Sequence, residues 1–130
     1  MAGVEEERIS LRDFHGHLGP YVVVGYRMGK AARRILNAQG KRMRALVRIG
    51  PKPPSSCMLD GIQFSTQCTL GKGNIQVLDE GKAEAVFSTD REVTIRLRKE
   101  IRQMIDSQKA KDELWQMVSA MTDEELFEVE

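Results

Sequence analysis

The chain has 130 residues, 20 Lys and Arg against 19 Asp and Glu, and a hydrophobic fraction of 41%. A chain of this length forms one compact domain that buries roughly two-thirds of its unfolded surface, so its core needs neither a disulfide nor a metal. A formal charge of +1 gives no sign of a nucleic-acid or polyanion binder, although charge can still be unevenly distributed. No apolar run approaches the roughly 20 residues that span a bilayer. The expectation is a single domain over residues 1–130, cytoplasmic, with no nucleic-acid and no membrane partner.

In chain order, Val4 to Leu11 is a polar lead-in whose glutamates start a helical turn. Phe14-His15-Gly16-His17-Leu18-Gly19-Pro20 follows and reads as a loop, because it holds two glycines and a proline. Tyr21, Val24, Met28, Ala31, Ile35 and Leu36 recur at helical spacing, with Pro20 suited to the first turn and Asn37 and Gly40 as stop signals. Gly25 and Gly29 lie four apart on this helix and permit close approach of another element. Met43 to Ile49 alternates basic with small or apolar residues and reads as a strand. Pro51, Pro53 and Pro54 then force an extended loop. Ser55 or Ser56 can cap a second helix with Cys57 in its first turn.

Gly71-Lys72-Gly73-Asn74 ends that region as a turn. Ile75–Leu78 and Ala83–Phe87 are strands, joined through Asp79–Lys82 as a hairpin. Val93 to Leu97 is a further strand with one wet face. The remainder, residues 99–127, is helical, as one helix or as two divided at Ser107–Lys111, with a capping box at Thr122 and Glu125. The apolar residues around Trp115 suit a core contact better than a dimer contact. Arg42, Arg44 and Arg48 form a basic stripe, and Thr122 to Glu130 an acidic tail, both read as solvated faces. The fold class is α+β, with an antiparallel sheet of about four strands packed against helices.

All thiol and imidazole chemistry is confined to two short segments, since the chain has two cysteines, Cys57 and Cys68, and two histidines, His15 and His17. A helix N-terminus favours a thiolate at Cys57, as a ligand or a nucleophile requires. Asp60, three residues on, faces the same side. Cys68 shares a site with Cys57 only if the helix ends near Thr66 and the chain folds back. The spacing is not that of a zinc ribbon or finger. His15 and His17 bind one ion together only through the turn that Gly16 permits; one as ligand and the other as acid/base group is an equal alternative. Gly71-Lys72-Gly73 lacks the flanking glycine and hydroxyl residue of a phosphate loop, with Thr66 and Gly73 in their places.

Three segments together carry a resemblance: Phe14 to Pro20, Cys57-Met-Leu-Asp60-Gly-Ile-Gln63, and Thr66-Gln-Cys68-Thr-Leu-Gly-Lys72-Gly-Asn74. With Gly25 to Met28 and the Asp79–Phe87 region, the sequence resembles the FmdE family, named after the FmdE component of formylmethanofuran dehydrogenase, over about residues 13–87. The resemblance implies an α+β domain, often a homodimer, with His17, Cys57 and Cys68 around a metal ion, zinc by expectation. It also implies Asp60 and Lys72 lining the same pocket, and a methanogenesis-related setting. Two positions depart from the family pattern: Gly19 stands where many relatives have cysteine, and Gln67 replaces a glycine.

The leading expectation is a metal-binding protein or small metal-dependent enzyme; as an enzyme it would act on a small molecule, with His15 or Asp60 moving protons and Lys72 holding an anionic group. The rival is a non-catalytic accessory or metal-delivery protein for a molybdenum or tungsten oxidoreductase. A third reading is a metal-free thiol catalyst with Cys57 as nucleophile and a histidine as its base.

Overall fold

The structure, a computed structural model, describes residues 2–107 and 113–130. The chain runs α1 (Ala2–His15), α2 (Pro20–Leu36), a 3-10 turn (Gly40–Arg42), β1 (Arg44–Val47), α3 (Cys57–Thr66), β2 (Ile75–Val77), β3 (Glu84–Ser88), β4 (Glu92–Leu97), α4 (Lys99–Ser107), α5 (Leu114–Ala120), α6 (Asp123–Leu126) and β5 (Phe127–Val129). The α+β class stands. The sheet has five strands rather than four, in the order β2-β1-β3-β4-β5. It is mixed rather than antiparallel, because β1 and β2 run parallel.

That parallel pair corrects the expected hairpin. Parallel neighbours need a crossover, and α3 supplies it between β1 and β2. β3 then pairs with the other edge of β1, Ala45 opposite Phe87 and Val47 opposite Ala85. The Asp79–Lys82 segment therefore passes over the end of β1 instead of joining adjacent strands, and it is tied there by Leu78 N–H to Val47 O and Lys82 N–H to Arg48 O. The lead-in is a full helix, α1, that continues through Phe14 and His15. The acidic tail ends in β5, paired to β4 with Leu97 opposite Phe127. Most of Ser107–Lys111, where the sequence allows one continuous helix or two, lies outside the described residues.

The sheet buries one face. Ala45, Val47, Ala85, Phe87, Val93, Ile95 and Leu97 belong to the core, and α2 lies against this face. The opposite face carries a ladder of charges: Arg48 Nε lies 3.0 Å from Glu84, Arg96 Nε 2.7 Å from Glu84, and Arg96 Nη1 3.1 Å from Glu130. Arg48 is thus paired, not part of a free basic stripe. α2 is the hub, with Tyr21, Val22, Val24, Met28, Ala31 and Leu36 all buried. α3 packs on it more intimately than on anything else, and α5 and α6 close its far side.

The intimacy of α2 and α3 is a matter of missing side chains. A Cβ on Gly25 would stand 2.0 Å from Met58 O, and one on Gly61 would stand 2.1 Å from Val22 O. A Cβ on Gly29 would meet Ser65 Oγ at 1.9 Å. The two backbones therefore touch, as the four-residue spacing of Gly25 and Gly29 anticipates. At the other side, Arg27 and Arg34 each hold Asp123 at 2.9 Å, and Arg27 also donates to Val118 O and Ser119 O at the end of α5. The capping box forms in full: Thr122 Oγ1 accepts from Glu125 N–H at 3.1 Å and Thr122 N–H donates to Glu125 Oε1 at 2.8 Å.

Two outcomes follow for stability. Gly25→Ala and Gly61→Ala each force backbone apart from backbone and should cost about 3 kcal/mol in denaturant unfolding. Gly71→Ala, where a Cβ meets nothing within 4 Å, should stay within about 0.5 kcal/mol. Equal losses at all three would refute the close crossing. Burial alone would raise the Asp123 carboxyl, but the Arg34 and Arg27 guanidiniums outweigh it and hold the group below the ordinary carboxylate value. Its stabilisation is therefore present above the unfolded-state pKa of about 3.9 and is lost as pH falls through the depressed folded value. Asp123→Asn should be less stable than wild type at neutral pH by about 1–2 kcal/mol, with the gap closing in strong acid; a gap that does not depend on pH would contradict this.

Candidate functional site

α1 ends at His15, and Gly16 turns the chain with φ of +105°, a left-handed value that an L side chain resists. Residues 17–19 then lead to Pro20 at the start of α2. Because α3 crosses α2 in contact, its first turn is carried up against this corner. His15 Nδ1 donates to Asp60 Oδ2 at 2.6 Å. The His15 side chain is only 9% exposed, and its Nε2 is buried without a hydrogen-bond partner. His17 packs on it, ring centroids 5.0 Å apart and tilted by 34°. Cys57 lies one turn before Asp60, near enough to feel its charge.

An ionised carboxylate only accepts hydrogen bonds, so Asp60 holds a proton on Nδ1 of His15, and the neutral ring then has its lone pair on Nε2. The outcome for Cys57 is the reverse of the sequence expectation. Burial first, and Asp60 second, push its thiol above the ordinary value. At neutral pH it stands as the thiol and not as an activated thiolate.

The other two expected residues lie elsewhere. α3 does end at Thr66, with Gln67 left-handed at φ 65°, but the chain does not fold back to Cys57. Cys68 is fully buried, its thiol donates to Met43 O at 3.5 Å, and its N–H donates to Thr66 Oγ1 at 3.0 Å. The helix between the cysteines has 10 residues, about 15 Å at its usual rise. Burial raises the Cys68 thiol, with Thr66 and Lys72 opposing. Lys72 is exposed, and its Nζ donates to Gln67 O at 3.0 Å and Thr69 Oγ1 at 3.4 Å, closing the C-terminal end of α3. Neither residue shares a pocket with Asp60 in this chain.

Asn74 is the residue of this region whose role sequence reasoning missed. Its Nδ2 donates to Gly40 O at 2.9 Å and Met43 O at 3.1 Å, and its Oδ1 accepts from Thr69 N–H at 2.9 Å. It clamps the Gly-Lys-Gly turn to the start of β1. Its place at the end of a glycine turn was the one signal that pointed to it. Phe64, whose ring meets Phe14 at 5.8 Å and Tyr26 at 6.1 Å, supports the outer side of the histidine corner.

The donor set expected for zinc does not fit an ion as this chain places it. His17 and Cys57 belong to the corner, whereas Cys68 belongs to the core at the opposite end of α3. Among the described residues, no three His, Cys, Asp or Glu side chains are grouped so as to hold a metal. What the corner does offer is one oriented, buried imidazole lone pair beside a thiol and a second imidazole.

A five-stranded mixed sheet, a helix pair in backbone contact and a histidine–carboxylate corner at one end of that pair define a small α+β domain with one built imidazole site. The family model described as "FmdE, Molybdenum formylmethanofuran dehydrogenase operon" matches residues 14–128. The chain belongs to the FmdE family. A crystal structure of a tungsten formylmethanofuran dehydrogenase FmdE-like protein from Syntrophus aciditrophicus has the same fold, with a TM-score of 0.68 at 22% identity, covering 97% of this chain and 70% of that one. A curated protein of Archaeoglobus fulgidus, described as a probable S-adenosyl-L-methionine-binding protein, is 35% identical over 78 residues, 55% of this chain. The match takes in 20% of that relative's length.

The electrostatics of the corner can be read by alkylation. In Asp60→Asn the negative charge beside Cys57 is gone, so the pH midpoint of Cys57 reaction with iodoacetamide should move down. It should remain above the value of a free thiol, because burial is the larger cause. Cys68 should react only on unfolding. An unchanged or higher midpoint in the variant would show that Asp60 does not act on Cys57.

Proposed function

We propose that this chain is a companion domain of a molybdenum or tungsten formylmethanofuran dehydrogenase system, and that its working centre is the His15–Asp60 pair with Cys57 and His17 beside it. The observation that supports this centre is the buried, unpartnered Nε2 of His15. A buried polar atom without a partner costs stability, and the Asp60 contact at Nδ1 places the lone pair of the neutral ring on that nitrogen. Such an atom is built to meet something that enters the corner.

The chemistry available is acceptance of a proton or of a hydrogen bond from a small molecule. His15 supplies the lone pair, and Asp60 orients the ring and stabilises the imidazolium that proton transfer would form, as in other histidine–carboxylate pairs. His17 bounds the site by stacking on His15. Cys57, held as a thiol, contributes a weak donor and a polarizable wall rather than an attacking anion. The family description supports the setting; the small molecule and the dehydrogenase partner are part of the proposal.

The test is reconstitution with a purified formylmethanofuran dehydrogenase. The expected result is that wild-type chain forms a complex on gel filtration and raises turnover, that His15→Gln and Asp60→Asn bind but lose most of the effect, and that Cys68→Ala keeps it. A dehydrogenase indifferent to the chain in both assays would overturn the reading. Light scattering on the chain alone tests the homodimer that the family resemblance implies.

A second reading, zinc binding, is favoured by one observation: a carboxylate on the far ring nitrogen is the usual support of a histidine ligand. His15 would then be the first ligand, and Cys57 and His17 would have to close on the ion, since the described residues hold no ready group of three; Cys68 would take no part. Metal content by mass spectrometry decides it. Zinc lost in His15→Ala and Cys57→Ala but kept in Cys68→Ala supports binding at the corner; loss only in Cys68→Ala would refute that ligand set.

A further inference from the structure

The far end of α3 carries a different kind of site. Where the C-termini of α2 and α3 come together with the 3-10 turn, they leave an open cleft of about 540 Å³. Arg33, Lys41, Arg42 and Lys72 line it, and among the described residues no carboxylate does. We propose that this cleft binds a small polyanion bearing two or three linked phosphates.

The simplest alternative is that these cations cap the two helices. Arg33 Nη1 does donate to Ser65 O at 3.0 Å, and Lys72 Nζ donates to Gln67 O at 3.0 Å. A helix C-terminus is worth about half a negative charge, so two of them offset roughly one of the four positive charges. The rest is unanswered: no described carboxylate forms an ion pair with any of the four. The contrast with the sheet is sharp, since Arg48 and Arg96 there are matched by Glu80, Glu84 and Glu130.

The cleft's backbone is fixed as well as charged. Asn37 and Gln67 are left-handed at φ 51° and 65°, and Gly40 at φ 63°. Asn74 ties Gly40 O and Met43 O to the Gly-Lys-Gly turn, so the turn bearing Lys41 and Arg42 and the turn bearing Lys72 are held as one unit. A cleft of this volume suits a small-molecule ligand, roughly 300–1,000 Å³ being usual. Guanidinium forks match phosphate oxygens two at a time, and lysines add point charge. A single phosphate would leave most of the cleft empty. This site stands independently of the reading given to His15, which lies at the opposite end of α3.

The probe is sodium tripolyphosphate, titrated into the full chain by calorimetry at about 0.15 M salt, where weak surface attraction is screened. Wild type should show saturable one-site binding. Lys41→Ala/Arg42→Ala, in which both exposed residues are removed without touching a helix cap, should weaken it at least about tenfold. Lys52→Ala, an exposed cation before α3, should leave it unchanged. No saturation at millimolar probe, or equal loss in the Lys52 variant, would overturn the proposal. So would tighter binding of a single-stranded oligonucleotide through the same two residues, which would make the cleft part of a nucleic-acid track.

Discussion

The contact of α2 with α3 is the constraint on which the rest depends. Three glycines, Gly25, Gly29 and Gly61, let the two helices meet with carbonyl and hydroxyl oxygens where Cβ atoms would otherwise stand. Ordinary helix pairs keep their axes 8–10 Å apart through intervening side chains; here that cushion is missing at three places. α3 is consequently fixed in position along α2, not merely pressed against it. One end of α3 is carried to the corner after α1, where Asp60 meets His15. Its other end is carried to the turn after α2, where Gln67 and Lys72 meet Arg33 and the 3-10 turn. A single rigid helix thus holds two unlike clusters apart, one imidazole and thiol, one cationic.

This arrangement explains which parts of the site were legible in the sequence. Helical spacing gave α2 almost to the residue, and Gly25 and Gly29 announced a close neighbour. Cys57 at the first turn of α3 and Asp60 one turn later were also readable. The roles of the two histidines were not. They lie two residues apart across a glycine turn, and nothing in the spacing says that His15, as the last residue of α1, reaches Asp60 while His17 stacks outside it. Cys68 was misplaced for a related reason. The requirement that α3 stop near Thr66 is met, but Thr66 Oγ1 captures the Cys68 N–H and Met43 O accepts from its thiol, so the chain turns inward to the core.

The sheet shows the same boundary between local and tertiary information. Ile75–Val77 and Glu84–Ser88 separated by a polar turn look like a hairpin whether the strands are neighbours or are parted by a third. Here β1 lies between them, since α3 makes a crossover that returns β2 parallel to β1. β5 has three residues and follows directly on a capped helical turn, leaving no room for an alternating pattern. Its pairing is decided by β4, whose Leu97 and Ile95 offer Phe127 and Val129 an edge.

At the corner, one carboxylate sets the chemistry of two neighbours in opposite senses. Asp60 holds a proton on Nδ1 of His15, so that the neutral ring has its lone pair on Nε2. The same negative charge, added to the burial of Cys57, disfavours a thiolate one turn away and so outweighs what the helix N-terminus offers. A nucleophilic thiol would need the charge beside it to be positive or absent. Asp60 is neither, and its hydrogen bond to His15 keeps it in place. The side chain that orients His15 is therefore the one that makes Cys57 a poorer nucleophile. Of the three chemistries that thiol and imidazole together allow, thiolate attack is the one this corner works against, and lone-pair donation from His15 is the one it is arranged to provide.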